Sequence, residues 1–185
     1  MILRINWIFR VALGLAMLSS SFLAIAGEHR LGAGVLNLSD GDFSLTNGGL
    51  SYEYKANENI AIELGAYTGG SSDLDDEADF FGEYEIKAKV ISYINLKVKG
   101  GITADNNFFY LAAGGANLDL KPKFCEADGG CTTEDIESDA QSGATLGLGA
   151  DFGLNENWRI DVSYDRTFGD LGDSDVYAAS VRYQF

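Results

Sequence analysis

The chain has 185 residues, with 28 acidic against 13 basic side chains and a formal charge of −15. Such acidity excludes a nucleic-acid partner, because displacing counterions from phosphates needs a basic footprint. The length allows one domain.

Arg4 and Arg10 precede an apolar stretch from Val11 to Leu18, and Ala24-Ile25-Ala26 follows as a small-residue cleavage site. The pattern predicts a cleaved secretory signal over residues 1–26 and a mature domain over 27–185. As a helical anchor the stretch is too short, and Ser19-Ser20-Ser21 interrupts it. Losing Arg4 and Arg10 leaves 11 basic against 28 acidic residues, a charge of −17. No later segment is a continuous apolar run of spanning length, so a membrane-embedded chain would have to be a closed barrel.

The mature part alternates apolar with small or polar residues in segments of about ten, the period of strands. The first strand sets Leu31, Ala33 and Val35 against Arg30, Gly32 and Gly34. The second sets Leu50, Tyr52 and Tyr54 against Ser51, Glu53 and Lys55, and the third Ile60, Ile62, Leu64 and Ala66 against Glu63, Gly65 and Tyr67. In the fourth, Ile86, Ala88, Val90, Ile94, Leu96 and Val98 oppose Lys87, Lys89, Tyr93, Asn95 and Lys97. The fifth, about Asn107 to Lys121, carries Phe108, Tyr110, Ala112, Ala116, Leu118 and Leu120 on its apolar face, with the pattern blurred by Phe109 and Leu111.

In the sixth, Ala144, Leu146, Leu148, Ala150, Phe152 and Leu154 oppose Thr145, Gly147, Gly149, Asp151 and Gly153. The seventh sets Trp158, Ile160, Val162 and Tyr164 against Arg159, Asp161, Ser163 and Asp165. The eighth sets Tyr177, Ala179, Val181, Tyr183 and Phe185 against Ala178, Ser180, Arg182 and Gln184. Pro122, the only proline, lies outside the strongest alternating runs.

Short links, Ala56 to Asn59, Lys99 to Asn106 and Asn155 to Asn157, alternate with mostly longer ones, about Ser39 to Asn47, Gly69 to Glu83, Pro122 to Gln141 and Phe168 to Ser174. The expected fold is therefore all-β, an eight-stranded antiparallel up-and-down transmembrane β-barrel with its short turns in the periplasm. A soluble barrel or β-sandwich would hide the apolar faces instead. The Thr-Gly-Gly-Asp-Gly row of the sixth strand suits a crowded lumen better than a solvent face.

The terminal strand makes the pattern specific. Tyr177, Val181, Tyr183 and the final Phe185 look like the C-terminal signal read by the outer-membrane barrel assembly machinery. With the leader and eight alternating strands, the mature chain resembles the OmpA/OmpX-like outer-membrane β-barrel family. The resemblance implies location in a Gram-negative outer membrane, with outer-membrane lipids, lipopolysaccharide and the assembly machinery as partners. It also implies lipid A acyltransferases, deacylases and surface proteases as enzyme precedents, all using a histidine toward the external half. The only histidine, His29, stands at the periplasmic start of the first strand, where it is expected to be exposed.

No nucleophile elbow, phosphate loop or Cys/His metal cluster occurs, and no cofactor is expected. The expected charge network of the lumen comprises Arg30, Glu53, Lys55, Glu63, Lys87, Lys89, Asp151, Arg159, Asp161, Asp165 and Arg182, a salt-bridged plug in a narrow barrel. Cys125 and Cys131 read as a local disulfide in an exported chain. Asp73, Asp75, Asp76, Glu77 and Asp79 are the candidate divalent-cation ligands, with a solvated acidic surface the favoured reading because the spacing fits no EF-hand. The function these residues support is a non-enzymatic structural, envelope or surface-interaction role. The alternatives are a small ion-conducting porin and, less favoured, a lipid A-modifying enzyme.

Overall fold

The computed structural model describes residues 27–40, 43–69, 71–73, 84–126, 131–132 and 139–185. The expected leader, residues 1–26, lies outside them. Ten strands follow in order: β1 (Glu28–Asp40), β2 (Phe43–Asn57), β3 (Ile60–Thr68), β4 (Ser71–Asp73), β5 (Tyr84–Ala104), β6 (Asn107–Glu126), β7 (Cys131–Thr132), β8 (Asp139–Gly153), β9 (Trp158–Gly169) and β10 (Asp175–Gln184). Eight of them form a closed wall in the order β5-β3-β2-β1-β10-β9-β8-β6, with β6 returning to β5, every pairing antiparallel. Closure removes the free edges that an open sheet would present. The small strands β4 and β7 extend the long-loop end of β5 and β6.

The wall is apolar outside and polar inside. Leu31, Leu50, Ile62, Leu96, Leu148 and Val181 stand on the outer face, and Leu111 is 68% exposed. Soluble proteins rarely leave so continuous an apolar surface in water. Arg30, Glu53, Glu63, Asp151, Asp161 and Arg182 are buried in the interior.

Three expectations about the strands need correction. The fifth expected strand, β6, has the opposite facing: Phe108, Tyr110, Ala112, Ala116 and Leu118 are buried inside, and Phe109 and Leu111 point out. The reason lies on its neighbour β8. Tyr110 faces Gly149, where a Cβ would come within 2.7 Å of the Val162 carbonyl and closer still to the Tyr110 ring. The inward glycines of β8 make the space that the aromatic fills.

The first expected loop is largely ladder, since Ser39 faces Ser44 and Asp40 faces Phe43. Ser39 and Ser44 are tolerated there because the alternation persists, with Leu36, Leu38 and Leu45 all buried. Pro122 lies within β6, opposite Ala88. Among the described residues the other side of β6 is unpaired there, between the rungs Leu120–Asp139 and Phe124–Thr132. A missing N–H is tolerated at such an edge.

Candidate functional site

The interior near the short turns is built from register. Glu53 on β2 directly faces Glu63 on β3, Asp151 on β8 faces Asp161 on β9, and Arg159 on β9 faces Arg182 on β10. Like charges at facing positions repel. Part of the compensation is in the ladder, since Arg30 on β1 faces Glu53 and Lys97 on β5 faces Glu63, and the narrow closed lumen brings the rest within reach.

Arg182 donates through Nη1 to Glu53 at 2.6 Å, and through Nη2 it pairs with Asp161 at 2.9 Å and with Glu63. Lys99 Nζ lies 2.8 Å from Glu53, 2.6 Å from Glu63 and 3.4 Å from Asp161. Lys97 joins Asp165 at 2.9 Å and Glu63 at 3.3 Å. Arg30 pairs with Glu53 at 2.8 Å, Glu28 at 2.8 Å and Asp151 at 3.5 Å. Arg159 pairs with Asp151 and donates to the Asn106 carbonyl at 2.8 Å.

Aromatic side chains complete this layer. Tyr110 Oη donates to Asp161 at 2.8 Å, and Lys99 Nζ stands 4.3 Å from the Tyr110 ring centroid. Lys55 donates to Thr103 Oγ1 at 3.3 Å and lies 4.8 Å from the Phe108 ring centroid, a cation–π position.

Toward the long loops the lumen changes character. Leu36, Leu38, Leu45, Tyr67, Tyr93, Leu118, Leu171 and Val176 form one buried apolar cluster contributed from much of the wall. Leu171 comes from the β9–β10 turn. Thr167 Oγ1 donates to the Gly172 carbonyl at 3.0 Å, Ser174 Oγ to that of Leu171 at 3.1 Å, and Gly169 and Gly172 adopt φ of 95° and 68°. That left-handed geometry favours glycine and tucks Leu171 inward. The lumen thus holds two successive layers, one ion-paired and one apolar.

A model of the outer membrane protein beta-barrel domain matches residues 10–185. The chain belongs to this family. Among solved structures it is similar to OprG from Pseudomonas aeruginosa, at 18% identity and TM-score 0.59 over 86% of this chain and 96% of that one. A major outer membrane protein from Thermus thermophilus matches at 15% identity and TM-score 0.58, over 86% and 100%. Ail of Yersinia pestis, solved in complex with the heparin analogue sucrose octasulfate, matches at 18% identity and TM-score 0.53, over 86% and 99%. No curated protein matches the sequence.

In this outer membrane barrel Tyr177, Val181, Tyr183 and Phe185 all stand on the outer face of β10, with Trp158 edge-on to Tyr183 at 5.2 Å. Arg30, Glu53, Lys55, Glu63, Asp151, Arg159, Asp161, Asp165 and Arg182 all lie buried in the lumen. The side chains of Lys87 and Lys89 lie outside the described residues. Their backbone stands beyond a register shift between Val90 and Ser92. Lys97 and Lys99 are the lumenal bases absent from the expected network. Lys99 falls within an expected turn, although it continues the alternation of Tyr93, Asn95 and Lys97.

His29 is not an exposed terminal residue. It is 5% exposed, its Nδ1 is 2.6 Å from Tyr52 Oη, and the Phe185 ring stacks on it at 6.1 Å. The Phe185 N–H donates to the His29 carbonyl at 3.0 Å, so His29 tethers the last residue to the first strand at the short-turn end.

Asp73 belongs to β4, its backbone opposite Lys87, while Asp75, Asp76, Glu77 and Asp79 lie outside the described residues. The backbones of Cys125 and Cys131 are facing partners of β6 and β7.

Proposed function

We propose that the protein is a closed, non-enzymatic barrel that acts in envelope integrity or surface interaction and does not conduct ions. The observation that carries this reading is the lumen filled twice over. An ion crossing the charged layer would have to part ion pairs of 2.6–2.9 Å, and then cross the apolar layer around Leu36, Leu45 and Leu171. Planar-bilayer recording on purified protein is expected to give a flat trace. Reproducible single-channel steps would overturn the reading in favour of a small porin.

The proposal includes a cleaved signal over residues 1–26, insertion with the short turns in the periplasm, and contact with outer-membrane lipids and lipopolysaccharide. The outer row Tyr177, Val181, Tyr183 and Phe185 is assigned to recognition by the assembly machinery. Cys125 and Cys131 are assigned to a disulfide, supported by their facing positions, since paired antiparallel residues stand within bridging distance. Alkylation of unreduced protein is expected to label neither cysteine. Labelling of both would remove the bridge.

A further inference from the structure

We infer that the cavity at the short-turn mouth of the lumen binds the zwitterionic headgroup of a phospholipid, an aminoalkyl phosphate, with its phosphate on Lys55 and its ammonium on Glu58 and Glu28.

The charge balance of the lumen carries the inference. Among the described residues six bases are buried there, Arg30, Lys55, Lys97, Lys99, Arg159 and Arg182, against five acids, Glu53, Glu63, Asp151, Asp161 and Asp165. Five of the bases pair with carboxylates. Lys55 pairs with none among the described residues, although it is only 7% exposed. Glu28, which faces it across the ladder, is bonded to Arg30 at 2.8 Å instead. An ammonium has three donors. Lys55 directs one at Thr103 Oγ1, at 3.3 Å, and lies 4.8 Å from the Phe108 ring centroid. A buried charge left without a counter-charge is costly, and an anion brought to Lys55 relieves that cost.

The surroundings of Lys55 supply room for one. Lys55 lines a cavity of about 210 Å³ together with Gly27 and Glu28 at the start of the wall and Ala56, Asn57 and Glu58 around the β2–β3 turn. Thr103, which accepts from Lys55, donates to the Glu58 carbonyl, so the ammonium stands two hydrogen bonds from the turn that walls the cavity. The acids of the rim select the ligand. Glu58 is exposed and Glu28 half-exposed; both repel a plain anion and accept from a cation carried beside it. A phosphate and a primary ammonium two carbons apart satisfy both walls. Processing after Ala26, as proposed above, adds the α-ammonium of Gly27 as a further donor to the phosphate.

Position selects the source. Tyr54 precedes Lys55 and stands on the outer face, its ring 5.2 Å from that of His29, on which Phe185 stacks. Trp158 and Tyr183 continue this aromatic group along β9 and β10. Aromatic girdles mark the boundary between hydrocarbon and headgroups. The cavity therefore lies at the level of the headgroups of the leaflet around the short turns. That this leaflet is the periplasmic one rests on the orientation proposed above, and the binding does not.

The experiment titrates the folded barrel in uncharged detergent with short-chain phosphatidylethanolamine, phosphatidylglycerol and phosphatidylcholine, and with free phosphoethanolamine, and follows bound ligand by native mass spectrometry. Phosphatidylethanolamine is expected to bind on the order of tenfold more tightly than phosphatidylglycerol, which brings no cation to Glu58, and than phosphatidylcholine, whose cation has no N–H to donate. K55M should lose that binding by a similar factor, and K55R should keep it. E58Q should retain phosphatidylglycerol binding and lose the preference for phosphatidylethanolamine. Heat-modifiable migration verifies folding, and E58Q, on an exposed turn, serves if K55M does not fold. Equal binding of the three lipids by the wild type, or unchanged affinities in K55M and E58Q, would overturn the site. No binding by the wild type would overturn it too, showing Lys55 neutralised by Glu28. Free phosphoethanolamine binding as tightly as the lipid, with the same dependence on Lys55, would overturn the leaflet as its source. Labelling of the short turns in intact cells reads the orientation separately.

Discussion

Replacing Arg182 with methionine is expected to lower the unfolding free energy of the barrel by about 3–5 kcal/mol, the cost of leaving buried charges without their partner. Arg182 serves Glu53, Glu63 and Asp161 together. Its removal leaves the facing pair Glu53–Glu63 with Lys99 as its main shared counter-charge, and Lys99 also serves Asp161. Urea-dependent loss of heat-modifiable migration in lipid vesicles measures the change. Neutralising one acid alongside, in R182M with E63Q, should recover part of the loss, because the deficit is one of charge and not of packing. The comparison is R166M, which breaks an exposed pair of 3.8 Å with Asp173. Exposed pairs are worth at most about 1 kcal/mol. Equal stability of the two arginine variants would contradict the closed network.

The same geometry ties the network to completion of the fold. Arg182 is on the last strand, and two of its three acids, Glu53 and Glu63, are on β2 and β3, 129 and 119 residues earlier. Ladder pairing of β2 with β3 brings Glu53 and Glu63 together, while Arg182 arrives only when β10 pairs with β1. Arg30 on β1 and Lys97 and Lys99 on β5 relieve part of that repulsion, and Arg182 completes the compensation with the last strand. An incomplete sheet is thereby disfavoured, and the closed one is favoured beyond its backbone hydrogen bonds.

Most of this was legible from alternation. In the first three and last three expected strands the charged and apolar rows separate cleanly, and a period of two allows only two facings. The fifth strand was not legible because both its rows carry large apolar residues. Its facing is decided by what stands opposite, the glycines of β8 and the carboxylate of Asp161, which sequence order does not bring near Tyr110. Lys99 was hidden by adjoining Gly100 and Gly101, which read as a turn although the strand runs on to Ala104. His29 stands on the outer row with Leu31, yet it is buried and not exposed as expected. Its burial depends on Tyr52 and on Phe185, at the far end of the chain, and such a contact follows only from closure. The register shift at Val90 was marked in the sequence only by Ile91 and Ser92, which break the alternation of the fourth expected strand.

The inward glycines give the second large effect, with a built-in contrast. G147A places a Cβ well inside van der Waals distance of the Asp165 carboxylate and the Tyr164 carbonyl. The carbonyl is part of the β9 ladder and cannot withdraw, so Asp165 has to move, and with it the 2.9 Å pair to Lys97. Overpacking of this kind costs about 1–3 kcal/mol. On the outer row, G115A brings its Cβ no nearer than 3.5 Å to the Gly143 carbonyl, an ordinary contact. Removing a glycine's freedom from the unfolded chain then favours the barrel by about 0.4–1 kcal/mol. The two substitutions add the same methyl group to two strands joined in one ladder, so helix or strand propensity cannot separate them. Only the side of the wall differs. Urea unfolding in vesicles should therefore shift in opposite directions, and equal shifts would mean that the glycine row of β8 does not face the lumen.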